Sequence, residues 1–231
     1  GSDGGMACCH YWGAPLPAGT DLAALVAAGA GGLTGGMLDA LPPLSLVPEA
    51  RRSFPGQPGL VAFRDGVPLE PVWRFGGVDD ADGLTLRHTA PGLRLDVTVR
   101  AMDHGLIALS ARLSADAPLT LHHLALALPV PAHLSNLTEL TGRWTREFQP
   151  VTTPLDHGAR LRDARTGRSG QEHPPHLWLT APGTTNTAGE AAALHYGWSG
   201  GHRMLVEALP DGRRQIQLGH ASGSERAPGT L

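Results

Sequence analysis

The stretch LRLDVTVR, residues 93–100, decides the fold class of this chain. Its apolar residues occupy every second position and alternate with charged or hydroxylated ones. A period of two is typical of a β-strand with one buried and one solvated face. The pattern returns in IALSARL, residues 107–113, after the turn residues Asp103–Gly105. The two stretches therefore predict an antiparallel hairpin joined by a glycine-containing turn.

A third strand is predicted at residues 119–128, with a break in its alternation. The leucines hold odd positions up to Leu121 and even positions from Leu124, so the phase shifts at His122–His123. A shift by one residue is what a β-bulge produces. Further strand patterns lie at Leu84–His88, Leu177–Thr180, Ala191–Tyr196, Met204–Leu209 and Gln215–Leu218. Strands spaced about ten to twelve residues apart predict an all-β antiparallel sandwich.

One short segment, Asp21–Ala28, has a helical pattern. Asp21 can cap its first turn, and Gly29 ends it. The following run, Gly29–Gly36, is predicted to be a flexible loop. It lacks the GK[ST] ending of a phosphate loop and does not fit GxGxxG, which argues against nucleotide binding.

Composition excludes several classes of protein. Among 231 residues, 41% are apolar, which suffices for a core, but no run of about 18 apolar residues could form a membrane span. The net charge is −3, and the 18 basic residues form no stripe of the kind that nucleic acid requires. Residues 1–5 do not resemble a secretory signal, so we expect a cytoplasmic location.

Residues capable of metal or acid–base chemistry are scattered along the chain. His122 and His123 are adjacent, so on a strand they point to opposite faces and cannot share an ion. Cys8 and Cys9 lack the second pair of a zinc site. We therefore expect no metal and no cofactor. The acidic turn at residues 79–82 is a candidate carboxylate pair for glycoside hydrolysis, although solvated acids are usual in such turns.

Five tryptophans leave two interpretations open. They stand at Trp12, Trp73, Trp144, Trp178 and Trp198. Exposed indoles would stack on sugar rings and indicate carbohydrate binding. Buried indoles would instead fill the space between two sheets, which is the more common use of tryptophan.

Several segments together resemble one family. They are Tyr11–Leu16, Pro58–Leu60, Phe63–Gly66, Gly142–Glu147, Arg165–Gly170, Gly197–Arg203 and Pro210–Arg214. In order and spacing they are similar to the N-terminal domain of the α-galactosidases of glycoside hydrolase family 36. The resemblance covers residues 10–231, with residues 1–9 unmatched, and its most specific part is Gly197–Arg203.

The resemblance implies a galactose-mutarotase-like β-supersandwich of two large antiparallel sheets and few short helices, preceding a (β/α)₈ catalytic barrel. The family's nucleophile stands in a Lys-Trp-Asp motif of that barrel. Here no Trp is followed by Asp, and the chain contains no Lys. We therefore expect a domain that is incomplete at both ends, without the catalytic carboxylates, so that its status as an enzyme is uncertain.

The resemblance also implies site residues. Family members form homo-oligomers in which a loop of this domain approaches a neighbour's active site, and the matching loop is Arg51–Gly59. Phe54 and Gln57 would offer an aromatic face and an amide to an α-galactoside, with Gln57 where many relatives carry Arg. A structural or interface role is expected for Arg143, Trp144, Glu147, Trp198, His202 and Arg203. If Arg143 and Glu147 lie on one strand, they share a face and can join one charged network.

Two functions follow from these expectations. The first is the non-catalytic domain of an α-galactosidase that serves assembly and active-site closure. The second is a free-standing carbohydrate-binding β-sandwich. Buried tryptophans and a large exposed apolar patch would favour the first, whereas an exposed row of aromatic side chains would favour the second.

Overall fold

A computed structural model describes residues 4–29, 41–165, 167–168 and 170–221. One helix, α1, spans Leu22–Gly29. The strands, in chain order, are β1 (Leu60–Arg64), β2 (Val67–Leu69), β3 (Arg74–Asp79), β4 (Leu84–Ala90), β5 (Leu93–Ala101), β6 (Ile107–Ala115), β7 (Thr120–Pro129), β8 (Asn136–Arg143), β9 (Arg146–Pro154), β10 (Ala159–Ala164), β11 (His176–Thr180), β12 (Ala191–His195), β13 (His202–Ala208) and β14 (Arg214–Ala221).

The strands form three antiparallel sheets. A six-stranded sheet has the order β10-β13-β14-β7-β1-β2. Two four-stranded sheets have the orders β3-β4-β5-β6 and β12-β11-β8-β9. The predicted all-β antiparallel sandwich is confirmed, with its second layer divided between the two smaller sheets.

Two apolar clusters form the core, and both lie on the same face of the six-stranded sheet. In the first cluster, Leu60 and Ala62 pack with Leu95 and Val97 of β5, together with Trp73. The second cluster joins β13 and β14 to β8 and β11; it includes Leu137, Leu177, Leu179, Met204, Val206 and Ile216. On the opposite face of the six-stranded sheet, buried polar residues stand beside Leu205, and these polar residues position the candidate site.

The strand predictions agree with the observed register. β5 pairs with β6 from Leu93↔Ala115 to Ala101↔Ile107, as the alternation predicted. In the pairing of β1 with β7, Val61 faces His123 and Ala62 faces Leu121, so His122 is the extra residue of a bulge. The phase shift in the leucines therefore has the predicted cause.

The predicted helix is also confirmed. The Asp21 carboxylate accepts hydrogen bonds from the backbone N–H groups of Ala23 and Ala24, at 2.9 and 3.0 Å. No residue of α1 is buried. The predicted loop at Gly29–Gly36 lies outside the described residues beyond its first one. No helix in the described ranges is long and apolar enough to cross a membrane.

Candidate functional site

The candidate site is the loop Arg51–Gly59, which begins within a short 3-10 turn and ends just before β1. Ala50–Arg52 forms that turn, and Ser53 ends it in the left-handed conformation at φ 59°. The two ends of the loop are joined by a hydrogen bond in which the Gly59 N–H donates to the Pro48 carbonyl oxygen at 3.0 Å. The chain therefore leaves and re-enters the fold at nearly the same point, which is typical of compact functional loops.

The buried side chain of Phe54 anchors the loop to the rest of the domain. Its side chain is only 7% exposed and belongs to a small apolar cluster with Leu44 and Leu209. The expected presentation of the Phe54 ring to a sugar is therefore wrong for this chain, because the ring is used as a core residue. Full burial of an aromatic side chain is a strong packing contribution, of about 2–3 kcal/mol.

The main chain of Gln57 is held by three polar side chains of the six-stranded sheet. Its N–H donates to Glu207 Oε2 at 2.9 Å. Its carbonyl oxygen accepts from Gln217 Nε2 at 2.7 Å and from Gln215 Nε2 at 3.2 Å. The side-chain amide of Gln57 has only a long contact, at 3.4 Å, with the Pro58 carbonyl oxygen. The predicted site residue is thus seated by its backbone, and its side chain is half-buried.

The three side chains belong to one buried polar network, which we call the glutamine network: His123, Glu207, Gln215 and Gln217. Gln215 Nε2 donates to Glu207 Oε2 at 2.6 Å, and Gln217 Nε2 donates to Gln215 Oε1 at 3.0 Å. His123 Nε2 lies 2.9 Å from Gln217 Oε1. His123, Gln215 and Gln217 are at most 1% exposed, so these hydrogen bonds replace those with water.

Both ring nitrogens of His123 face hydrogen-bond acceptors. Both hydrogens of Gln217 Nε2 are already donated, to Gln57 and to Gln215, so Gln217 Oε1 acts as the acceptor. Nδ1 lies 3.1 Å from the His220 carbonyl oxygen, which is also an acceptor, so a neutral imidazole can donate to only one of the two. Burial lowers the pKa of His123 below its ordinary value, and the hydrogen bond to Gln217 only partly opposes this. Burial therefore disfavours the charged form of His123.

Gly56 explains how the loop comes so close to the sheet. A Cβ placed on Gly56 would lie 2.5 Å from Glu207 Oε2, 2.5 Å from a Leu209 methyl group and 2.8 Å from Gln215 Nε2. No side chain fits in that space, so glycine allows the backbone to contact the network directly. The loop is consequently held in one position.

The outer side of the loop carries hydrogen-bond donors. Arg51, Ser53 and Pro55 are exposed. Arg51 also borders a surface groove of about 700 Å³, whose other walls are residues 69–72, Arg74, residues 89–91 and Leu93. Guanidinium and amide groups can bind sugar hydroxyls, but they supply no nucleophile or general acid. The loop can therefore position a ligand without performing hydrolysis.

Arg143, Trp144 and Glu147 lie around the turn between β8 and β9. Arg143 ends β8 and pairs with Arg146 at the start of β9, so Arg143 and Glu147 belong to different strands. The expectation that they share a face of one strand is therefore wrong. The Glu147 carboxylate accepts a hydrogen bond from the Thr145 N–H at 2.9 Å, which stabilises the turn.

The residues of the Gly197–Arg203 segment have mixed environments. Trp198 is 54% exposed, whereas His202 is fully buried, and burial lowers the pKa of His202. Arg203 donates two hydrogen bonds to Asp163, at 2.7 and 2.8 Å, and holds the pKa of that carboxyl below its usual range. Residues 197–201 also fit the GxSxG pattern, but they connect two strands, whereas a nucleophile elbow connects a strand to a helix.

The tryptophans divide between both interpretations. Trp73 is 1% exposed and lies in the core. Trp12 and Trp178 are half-buried, and the Trp12 indole N–H donates to the Pro129 carbonyl oxygen at 2.6 Å. Trp144 and Trp198 are exposed, at 79% and 54%. Three indoles are therefore structural, and two are exposed.

The remaining candidates do not form a site. In the acidic turn, Asp79 pairs with Arg87 and Asp82 pairs with Arg100. Among the described residues, no group of three or more His, Cys, Asp or Glu side chains could hold a metal ion. The glutamine network was missed from the sequence. Its only signal is the spacing of Gln215 and Gln217, two amides on one face of a predicted strand.

Comparisons with known proteins agree with this architecture. The model of the Glycosyl hydrolase family 36 N-terminal domain matches residues 5–225. An α-galactosidase of Escherichia coli is 35% identical over 187 residues, which cover 79% of this chain and 26% of that protein. A probable α-galactosidase G of Emericella nidulans is 26% identical over 151 residues. The chain thus spans about a quarter of the length of these curated relatives.

Solved structures show the same fold. An α-galactosidase AgaA variant from Geobacillus stearothermophilus, in complex with 1-deoxygalactonojirimycin, has a TM-score of 0.78 at 17% identity and covers 94% of this chain and 34% of that one. The α-galactosidase from Lactobacillus brevis has a TM-score of 0.63 at 20% identity and covers 71% of this chain and 25% of that one.

Proposed function

The chain belongs to the family of glycosyl hydrolase family 36 N-terminal domains, and we propose that it is the non-catalytic N-terminal domain of an α-galactosidase. The observation that carries this proposal is the match of that domain to residues 5–225, nearly the whole chain. In the proposal, terminal α-galactosides are hydrolysed by a catalytic barrel outside this match. The domain then serves assembly and active-site closure.

The state of the carboxylates supports a non-catalytic role. Retaining hydrolysis needs two carboxyl groups about 5–5.5 Å apart, one of them with a raised pKa so that it can act as an acid. Asp79, Asp82 and Asp163 are instead paired with arginines, and arginine lowers the pKa of Asp163. Because its pKa is lowered, the Asp163 carboxyl is a poor proton donor.

The anchored loop supports the role in closure. We propose that in a homo-oligomer of the complete enzyme the outer side of Arg51–Gly59 faces the sugar site of a neighbouring subunit. Arg51 and the side-chain amide of Gln57 would then donate hydrogen bonds to the galactoside. The glutamine network holds the loop before any ligand arrives, so little conformational entropy is lost on binding.

We also keep a cytoplasmic location as a proposal. Cys8 and Cys9, both half-buried, form no disulfide bond. Cysteines that are not in disulfide bonds are usual in a reducing compartment, which supports this location.

A carbohydrate-binding module is the second candidate. The exposure of Trp144 and Trp198 favours it, because exposed indoles are the surfaces on which sugar rings stack. In that case the isolated chain would bind raffinose or galactomannan without any catalytic unit, and alanine at either tryptophan would weaken the binding.

The experiment that tests the proposal joins this chain to the part of the Escherichia coli α-galactosidase outside the match. The isolated chain is expected to release no nitrophenol from p-nitrophenyl α-galactoside. The fusion is expected to be active, and the catalytic part alone is expected to be less active or aggregated. The control is the same catalytic part joined to its own N-terminal region.

Two outcomes would contradict the proposal. The first is turnover by the purified isolated chain that a substitution within residues 5–225 abolishes. The second is a catalytic part that is as active and as soluble without the chain as with it. Calorimetric titration of the isolated chain with raffinose separates the two candidates, because only the module hypothesis predicts heat of binding.

A further inference from the structure

The first residues that the structure describes lie as a strap against the sandwich. We define the strap as residues 4–9. The Gly4 carbonyl oxygen accepts a hydrogen bond from the Phe75 N–H of β3 at 2.6 Å, and the Ala7 carbonyl oxygen accepts one from the Leu46 N–H at 2.7 Å. The strap therefore joins the edge strand of one small sheet to the segment that leads into the candidate loop.

A buried histidine of β4 holds the middle of the strap. The Ala7 N–H donates to His88 Nε2 at 3.3 Å, and His88 is fully buried. Because a backbone N–H can only donate, Nε2 must be the acceptor, so this hydrogen bond requires the neutral ring. Beside Ala7, the Met6 side chain is 5% exposed and belongs to the core cluster that contains Trp73. One apolar side chain and one histidine-dependent hydrogen bond thus hold the strap at its centre.

Protonation of His88 is incompatible with the docked strap. A charged imidazole donates from both nitrogens, so its Nε2–H would face the Ala7 N–H, donor against donor. The charge would also be buried, and burial accordingly lowers the pKa of His88. Lifting the strap removes both penalties, because it exposes the ring and the Ala7 N–H to water.

The strands that flank His88 do little to stabilise its charged form. The positions paired with it on β3 and β5 are Phe75 and Leu95, both apolar. Asp96 of β5 attracts the charged ring, but burial outweighs this attraction. Asp96 is also paired with Arg94 at 2.7 Å, which reduces its effect on the histidine. The neutral ring is therefore favoured as long as the strap covers it.

The strap also touches the start of the candidate loop. A Cβ at Gly5 would lie 3.0 Å from Arg52 Nη2, so the strap backbone lies against that guanidinium. Arg52 Nε pairs with Glu49 at 3.1 Å, and Glu49 accepts the Trp73 N–H at 2.6 Å. Burial raises the pKa of Glu49, so this carboxyl is a second titratable group beside the strap. The test must separate its effect from that of His88.

We propose that the strap is a pH-sensitive cover, which docks while His88 is neutral and lifts when the ring is protonated, so that Arg52 at the start of the candidate loop is freed. A histidine exposed by lifting returns to the ordinary pKa of 6.5, whereas the docked one lies lower. Docking should therefore be complete above pH 6.5 and weaken below it. Between about pH 7.5 and about pH 5.5, the ratio of lifted to docked strap should rise by up to about tenfold.

Hydrogen–deuterium exchange of the isolated chain measures the lifting and does not depend on the proposed function. Protection factors, corrected for intrinsic exchange, are compared at the two pH values. The Leu46 and Phe75 N–H groups, which donate to the strap, should lose up to about tenfold of their protection at the lower pH. The N–H groups of the β5–β6 ladder should remain at least about a hundredfold better protected, because the strap lifts without unfolding the sheet.

Two substitutions separate the roles of His88. H88Q keeps an acceptor for the Ala7 N–H but does not titrate, so the strap should stay protected equally at both pH values. H88L provides no acceptor, so the Leu46 N–H should exchange faster than in the parent, and equally at both pH values. Circular dichroism shows whether each variant is folded, and H88Q alone decides the outcome if H88L does not fold.

Two further variants are controls. H202Q replaces another fully buried histidine, whose pKa burial also lowers, and it should keep the parental response of the strap to pH. E49Q should keep the response as well, because glutamine still accepts the Trp73 N–H but does not titrate.

The two cysteines of the chain provide an independent measurement. Cys8 and Cys9 both lie on the strap and are half-buried. Their modification by 4,4′-dithiodipyridine, which reacts with thiols at acid pH, should therefore be faster when the strap lifts. The ratio of the parental rate to the H88Q rate cancels the pH dependence of the thiols themselves. This ratio should rise by up to about tenfold between the higher and the lower pH.

Three results would overturn the proposal. The first is strap protection and thiol modification in the parent that do not differ from H88Q at either pH. The second is equal protection of the strap and the β5–β6 ladder, which would mean that only global unfolding exposes the strap. The third is a response that E49Q abolishes and H88Q retains, which would assign the titration to Glu49.

Discussion

Replacing Gln217 by leucine should loosen the Arg51–Gly59 loop and destabilise the whole domain. Leucine has a similar volume but neither donates nor accepts hydrogen bonds. The substitution removes the donor to Gln215 Oε1 and the acceptor that faces His123 Nε2, and the Gln215 and His123 side chains are both fully buried. The Gln57 carbonyl oxygen loses its shorter bond and keeps only the one from Gln215 at 3.2 Å.

The magnitude follows from the two groups that lose their partners. A buried polar group without a partner costs about 1–3 kcal/mol, so two such groups cost about 2–6 kcal/mol. The added apolar side chain offsets about 1 kcal/mol of this. We expect a net loss of about 3 kcal/mol in the free energy of unfolding, which for an m-value of about 3 kcal/mol/M lowers the urea midpoint by about 1 M.

Two measurements check this prediction. Urea unfolding followed by tryptophan fluorescence gives the stability, with Q171L as the matched control. Gln171 is exposed, so Q171L should stay within about 0.5 kcal/mol of the parent. Hydrogen–deuterium exchange should show faster exchange of the Gln57 N–H in Q217L. Parental stability together with parental exchange at Gln57 would refute the view that the network anchors the loop.

Three other perturbations test the same region. F54A should destabilise the domain by about 3–5 kcal/mol in urea unfolding, since a buried ring is lost, and a change below about 1 kcal/mol would contradict the burial of Phe54. G56A should lower the free energy of unfolding by about 1–3 kcal/mol, because the added methyl group overpacks the site. The control G197A should be nearly neutral, because a Cβ at Gly197 meets nothing within 4 Å. Equal effects of the two variants would refute the close approach of Gly56 to the sheet. Burial lowers the pKa values of His88 and His123 below the ordinary 6.5. As the pH falls, the unfolded chain therefore binds protons at these histidines before the folded chain does. The free energy of unfolding should be at its full value above pH 6.5 and should decrease below it. Urea midpoints between pH 8 and 5 measure this loss, and H123Q should reduce it, whereas a flat profile would contradict it.

The sequence was sufficient to predict the strands that have one buried and one exposed face. In β5, Leu95 and Val97 are fully buried while Arg94 is exposed, so the alternation in the sequence reports the burial directly. In β9, by contrast, seven of the nine residues are exposed and none is buried. Without a buried face there is no selection for alternation, and this strand could not be predicted from its pattern.

The candidate site was harder to predict because its contacts are distant in sequence. A loop has no periodicity, so nothing near Phe54 reveals that it packs against Leu209, far along the chain. Gln215 and Gln217 look like the solvated face of a strand. They are buried only because the loop lies over them, and that follows from the tertiary fold. The family resemblance therefore indicated the loop, and the structure was needed for its anchor.

The hydrogen bonds that hold the main chain of residue 57 have an evolutionary consequence. The sheet holds this residue through its main-chain N–H and carbonyl oxygen, which every amino acid except proline provides. The side chain at this position can therefore change from an amide to a cation, or to a small residue, without releasing the loop. Under the proposed role of the loop, ligand preference at this point can therefore drift, or be engineered by saturation mutagenesis, while the scaffold below it remains constant.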